Sequence, residues 1–236
     1  MIYPSSWTPA VRMGLSISLA TGLYGISFGA LAVAAGLNVW QAMALSSLMF
    51  TGGSQFAFIG VIAGGGTGSA AVGAASLLGV RNAVYGMQMN RMLQPGGWRK
   101  FLAAHLTIDE SAATASGQTD AQEQQRGFWT AGLGVFVLWN AFTLIGALLG
   151  DALGDPRQWG LDGAAVAAFL GLLWPRLQQR EPVALAVLCG VVTALMVPML
   201  PAGLPILVAA LVGAGWGVWR SARLTKDGLH GHGEAS

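Results

Sequence analysis

The sequence predicts an all-α, polytopic integral membrane helical bundle of one domain, with broken or re-entrant helices in its N-terminal half. Three observations carry that expectation. Of 236 residues, 54% are hydrophobic and 9% charged, for a mean hydropathy of +0.58, more apolar surface than a soluble domain of this size buries. About seven or eight apolar stretches approach the roughly 20 residues that span hydrocarbon. The 35 glycines exceed what a soluble helical protein tolerates, whereas in lipid they permit close helix contact and local breaks. A net charge of +2 argues against a nucleic-acid partner. The lone Cys189 lies in an apolar run and leaves no intrachain disulfide to form.

The first stretch, 11 to 35, carries Arg12 at its start and Ala30-Leu31-Ala32 near its end, a pattern of basic residue, apolar run and small residues that a secretory signal would also show. Its threading with Gly22, Gly25 and Gly29 and the many spans behind it favour a first transmembrane helix. The second, 39 to 63, is interrupted by Thr51-Gly52-Gly53-Ser54-Gln55. The third, 68 to 93, holds Arg81 and Asn82 near its middle. A guanidinium at that depth costs roughly 2.5 to 3.5 kcal/mol on insertion scales, so it faces a partner, a cavity or a ligand. The fourth, 101 to 118, is short and carries His105, Asp109 and Glu110. Residues 117 to 127 are polar enough for a solvated loop. The fifth, 128 to 150, contains Trp139 beside Asn140, whereas tryptophans 7, 40, 98, 129, 159, 174 and 216 sit near segment ends, as rings at the headgroup level do. The remaining stretches run 161 to 176, with Asp162 as N-cap, 182 to 198 and 203 to 221. The transmembrane domain then covers 1–226, and residues 227–236, with His230 and His232, form a flexible tail. No residue-level internal repeat, cofactor motif or metal constellation is evident.

Basic residues orient the chain. Arg220, Arg223 and Lys226 put the C-terminus in the cytoplasm, and Arg176 with Arg180 put the loop two spans earlier there too. Arg12, the Arg91/Arg99/Lys100 cluster and Arg126 also ask to be inside. All are satisfied if segments 39 to 63 and 101 to 118 each enter and leave on one side, and such irregular backbone is tolerated where protein or a water-filled cavity surrounds it.

The polar clusters each read two ways. Gly52-Gly53-Ser54-Gln55 is either a helix-packing notch or a substrate-facing break, in which a half-helix starting near Ser54 offers its N–H groups to a carboxylate and Gln55 adds an amide. Arg81 is either a structural ion-pair partner for Asp109 or Glu110 or a carboxylate receptor, with Asn82 and Tyr85 lining the same cavity. Asp109 and Glu110 point about 100° apart on a helix, while His105 and Asp109, at i and i+4, share a face. The acidic pair is thus a helix cap, or it supplies an ammonium partner and a proton carrier.

Phe28-Gly29-x-Leu31-Ala32-x-x-Ala35-Gly36-Leu37, Gln41-Ala42, Gly52-Gly53-Ser54-Gln55-Phe56, Arg81-Asn82-x-x-Tyr85-Gly86, Asp109-Glu110-Ser111 and Leu161-Asp162-Gly163 leading into Phe169-Leu170-Gly171-Leu172-Leu173 occur in that order. Together they resemble the AzlC family of branched-chain amino acid exporters, over nearly the whole chain. The chain departs from the family's frequent residues at Gly53, Asn82 and Ile108. The resemblance implies export of branched-chain or similar neutral hydrophobic amino acids through a bacterial cytoplasmic (inner) membrane, with a small hydrophobic AzlD-like partner subunit, and the acidic pair adds the expectation that export is coupled to protons. Two rivals stand beside it: a scaffold subunit without a transport path, and an intramembrane serine protease using Ser54 and His105.

Overall fold

The computed structural model describes residues 7–153, 170, 173–174, 177–201 and 204–230, and among these are nine α-helices and no strand. They are α1 (Pro9–Ala34), α2 (Val39–Leu48), α3 (Gly53–Ala63), α4 (Gly68–Leu93), α5 (Arg99–His105), α6 (Asp109–Ser116), α7 (Ala121–Leu153), α8 (Arg180–Met196) and α9 (Leu204–His230). The expected sixth segment, with Asp162 and most of the last resemblance motif, lies outside the described residues. α9 continues to His230, past the point where the tail was expected to begin.

By length and composition, α1 and most of α7 are apolar enough to cross a membrane, with mean hydropathies of 1.7 and 1.9. They pack side by side and run in the same direction. Gly14 faces Thr130 and Ala131, Gly22 faces Leu138, Gly25 faces Trp139 and Thr143, and Gly29 faces Thr143 and Ala147. A Cβ on Gly22 would lie 2.6 Å from that of Leu138, and one on Gly25 2.6 Å from the Trp139 carbonyl oxygen. At Gly29 and Gly146 the approach is closer still, backbone against backbone, to Thr143 and Ile26 respectively. Small residues every three or four positions create this groove, and close packing replaces the hydrophobic drive that lipid removes.

α7 starts earlier than expected. Residues 121–127 are helical, not loop, because Asp120 caps the start: its Oδ2 accepts from the Glu123 N–H at 3.0 Å, and Glu123 pairs with Arg126 at 2.8 Å one turn on. The capping bond and the ion pair outweigh a composition that reads as solvated coil.

Two helical hairpins lie between the long helices. α2 starts beside the C-terminal end of α1, and its Ser46 hydroxyl lies 3.3 Å from that of Thr143 on α7. The chain reaches Phe50 at the level of Phe136 and turns back, so that Phe56 of α3 meets Trp139 and Phe28. Val61 of α3 then packs against Ala71 and Ala74 at the start of α4. α4 runs antiparallel to α1, ending near α5. α5 rises to place His105 against Phe50 and Phe136. α6 descends again until Ser116 meets Gln88 and Thr114 meets Gly127. Each hairpin therefore begins and ends at one end of the molecule, the first where α1 finishes and the second where α1 and α7 begin. Arg12, Arg91, Arg99, Lys100 and Arg126 all lie towards that second end. α8 and α9 form an antiparallel pair closed by Arg220–Glu181 at 2.6 Å, and Leu207 of α9 rests on α4 near Gly73.

The fourth segment is thus not one helix. The break at Leu106-Thr107-Ile108 separates His105 from Asp109, so the i, i+4 relation expected between them does not exist. The Ser111 hydroxyl fixes the break, accepting from the Ile108 N–H at 3.0 Å and donating to the Leu106 carbonyl at 2.7 Å.

Candidate functional site

The tips of the two hairpins meet halfway along α4, at Arg81. Its guanidinium reaches both. Nη1 pairs with Asp109 Oδ2 at 2.8 Å, and Nη2 donates to the Thr51 carbonyl at 3.4 Å. Gly53 allows this approach, since a Cβ there would sit 3.2 Å from Arg81 Nη2. Gly52 makes the turn into α3 at φ +61°, in the left-handed region where a side chain is strained. Hence Gly52 serves a tight reversal at a strained φ and Gly53 a close contact with the guanidinium.

Both half-helices begin at this junction, so the N–H groups of their first residues converge there ahead of any intrahelical partner. In α6 the first two positions are Asp109 and Glu110, which suit the positive end of a helix. In α3 they are Gly53 and Ser54, without charge. The acidic pair is therefore a helix-terminal pair, as its plain reading held, yet it also faces the cavity. Consecutive side chains straddle the tip: Asp109 turns to Arg81, and Glu110 turns to α1, accepting from Thr21 Oγ1 at 3.4 Å.

These groups border a cavity of about 450 Å³. Its polar lining is Thr21, Thr51, Gly52, Gly53, Arg81, Asp109 and Glu110. Its apolar lining is Phe50, Phe56, Leu78, Ile108, Val135, Trp139 and Leu173, with Tyr24 from α1. The aromatic wall is rigid: Trp139, 3% exposed, stacks on Phe28 with ring centres 5.9 Å apart and meets Phe56 edge-on. The cavity thus offers both charges and an aromatic and aliphatic surface to one small guest.

Not every expected residue faces it. Gln55 is fully buried and turns away, its Nε2 donating to the Leu45 and Ser46 carbonyls at 3.1 Å each. The Ser46 carbonyl is among the orphans left where α2 stops, the Leu45 carbonyl also accepts from the Met49 N–H, and the two bonds from Gln55 hold the hairpin closed. Ser54 is buried against Gly79, with its hydroxyl unpaired. Asn82 and Tyr85 are absent from the lining, Asn82 with an unpaired buried Oδ1 and Tyr85 packed on the core. A nucleophile needs a base within hydrogen-bond reach. Ser54 has none, and the His105 ring packs on Phe50 and Phe136, so the protease geometry is not present. Sequence reasoning missed Thr21, Phe50, Phe56, Val135 and Trp139. Of these only Trp139 stood out, as an indole far from a segment end.

A family model described as AzlC protein matches residues 16–153, a stretch that runs from the first turns of α1 to the end of α7 and includes both hairpins. No curated protein matches the chain, and no solved structure does.

Proposed function

The chain belongs to the AzlC family, and from that premise we propose that it moves branched-chain or similar small hydrophobic amino acids out of the cell through the central cavity. α1, α4 and α7 cross the bacterial cytoplasmic membrane, and the two hairpins are re-entrant. The end rich in Arg91, Arg99 and Lys100 faces the cytoplasm, together with the C-terminus. What supports this reading is the position of two hairpin tips and a clasped guanidinium halfway along three long helices, beside an apolar wall. Irregular backbone at such depth is tolerated around a cavity, and a charge there marks a pathway or site.

In the bound state the substrate carboxylate lies at the free N–H groups of Gly53 and Ser54, next to Arg81. The ammonium goes to Glu110, and the aliphatic side chain goes among Phe50, Phe56, Val135 and Trp139. Asp109 keeps Arg81 in place, while Glu110, held by a long bond from Thr21 and by its own backbone N–H, exchanges a proton during the cycle. Gln55, Asn82 and Tyr85 support the hairpin and α4 behind the site. Pockets that differ by a methylene discriminate by about 1 to 3 kcal/mol, so leucine, isoleucine, valine and methionine compete for this cavity. A small hydrophobic AzlD-like subunit completes the transporter.

The test is flux of a panel of radiolabelled amino acids in proteoliposomes, with and without the companion subunit. Efflux of the aliphatic members, strongest with both proteins present, is the expected result. No flux of any amino acid with both proteins present leaves the scaffold role in its place, and full flux without the companion removes the partner claim.

A further inference from the structure

The chain carries an architectural repeat that runs from α1 to α6. α1 and α4 are each 26 residues long. Each starts on a threonine whose hydroxyl accepts from the third helical N–H: Thr8 from Val11 and Thr67 from Ala70. Each is followed by a short link and a hairpin that folds back halfway. In both hairpins a threonine stands two residues before the second half-helix, Thr51 before Gly53 and Thr107 before Asp109. The two copies point in opposite directions, because α4 is antiparallel to α1 and the hairpins come from opposite ends. The first residues of each second half-helix also rest on the long helix of the other copy: Glu110 on Thr21 of α1, and Ser54 on Gly79 of α4. Inverted copies that share one central site are the geometry from which a cavity opens to either side by exchanging the conformations of its halves.

We propose that the two hairpins are inverted gates, hairpin α2–α3 closing the cavity towards the end where α1 finishes and hairpin α5–α6 closing it towards the basic end, with Arg81 as the positioning residue that keeps one shut while the other opens. Among the described residues, Phe136 only packs on the two tips, through Phe50 and His105, whereas Arg81 is the charged side chain that bonds to both. It holds hairpin α2–α3 by the Thr51 carbonyl and hairpin α5–α6 by the Asp109 carboxylate. Displacing either tip removes one anchor and leaves the guanidinium to the other, so a cavity open at both ends at once has Arg81 without partners. This rests on the transport reading, but its test does not require the substrate to be known.

The experiment uses the full chain in oriented membrane vesicles, in a Cys189→Ser background, with Leu78→Cys as the cavity probe for a membrane-impermeant thiol reagent. Two disulfide locks fix one hairpin each to α7. Ser46→Cys with Thr143→Cys replaces hydroxyls 3.3 Å apart. Ser111→Cys with Gly132→Cys joins positions whose Cβ atoms are 3.6 Å apart, within the range a disulfide spans. With hairpin α2–α3 locked, the probe labels from the basic side only; with hairpin α5–α6 locked, from the opposite side only. Reductant restores both. Locks that close the same side, or neither side, overturn the proposal. Should a lock prevent folding, Leu78→Cys alone decides: labelling from one side only, whatever amino-acid gradient is imposed, overturns it equally. Arg81→Gln without a lock adds the positioning readout, raising labelling from both sides at least severalfold, whereas Arg81→Lys brings labelling part of the way back to the parent level. Unchanged labelling in Arg81→Gln removes Arg81 from the gating. Loss of flux with the alternating pattern intact refutes the substrate assignment and leaves the gates standing.

Discussion

A double-mutant cycle on Arg81 and Asp109 separates a guanidinium that recognises substrate from one that clasps the hairpins. The pair is short, 2.8 Å, with each side chain 30% exposed, so it lies between two regimes. Exposed pairs contribute about 0 to 1 kcal/mol, and breaking a buried pair costs about 3 to 5 kcal/mol. A charge-assisted hydrogen bond contributes about 1.5 to 3 kcal/mol. We expect a coupling of about 2 kcal/mol, close to thirtyfold in the unfolding equilibrium. Arg81→Gln should cost more than Asp109→Asn, because it also loosens the bond to the Thr51 carbonyl. The double variant should be more stable than the two single losses added together predict. Unfolding of purified protein in mixed micelles by added denaturing detergent, followed by tryptophan fluorescence, reads all four corners. Coupling below about 0.5 kcal/mol, within the usual additivity error, refutes the clasp and frees Arg81 as a substrate ligand. In vesicles, Arg81→Ala should abolish flux with the protein level retained. Normal flux there refutes both roles.

Three further outcomes are expected. Single cysteines at Gly66 and Gln94 in the Cys189→Ser background should label from opposite faces, Gln94 from the cytoplasm; labelling of Gln94 from outside alone contradicts the re-entrant arrangement. Glu110→Gln should preserve exchange of amino acids across the membrane while net efflux ceases to respond to an imposed pH gradient, because an amide hydrogen-bonds but carries no proton; acidifying the outside should speed efflux in the parent and not in the variant. Gly29→Ala places a methyl group against the Thr143 backbone and should cost about 1 to 3 kcal/mol as overpacking does, read as a lower melting temperature in detergent, whereas Gly60→Ala, with open space around it, should melt at or above the parent.

The long elements were legible because their signals are local. α4 spans the expected 68–93, and the N-terminal limits of α2 and the C-terminal limits of α3 match the segment 39–63, with the break at Gly52-Gly53. A glycine pair in an apolar run has few other uses. The second break was harder. Leu106-Thr107-Ile108 contains no glycine or proline, and what stops the helix is the Ser111 hydroxyl reaching back to Leu106 and Ile108, a contact that composition does not encode. At the site, Arg81 and the acidic pair could be read from their cost in lipid. That logic finds expensive groups but not their direction, which is why Gln55, committed to the α2 carbonyls, looked like a ligand. The aromatic wall was hidden for the opposite reason, since Phe50, Phe56 and Val135 cost nothing in an apolar segment.

The convergence of α3 and α6 on one cavity has an electrical consequence. Each half-helix brings roughly half a positive elementary charge to its N-terminus, so the two ends and Arg81 come to about two positive charges against the carboxylates of Asp109 and Glu110. With both carboxylates ionised the cavity is therefore close to neutral, and a zwitterion of zero net charge leaves it so. Under the proposed mechanism, the current would then be carried by the proton on Glu110. If, as proposed, one proton were taken inward for each amino acid released outward, a single positive charge would move down the membrane potential, supplying about 2.3 kcal/mol per 100 mV in addition to the pH difference. A cell that loses its potential but keeps its pH gradient would retain export at a lower ceiling, and a voltage jump imposed at constant pH should drive a transient of amino-acid release.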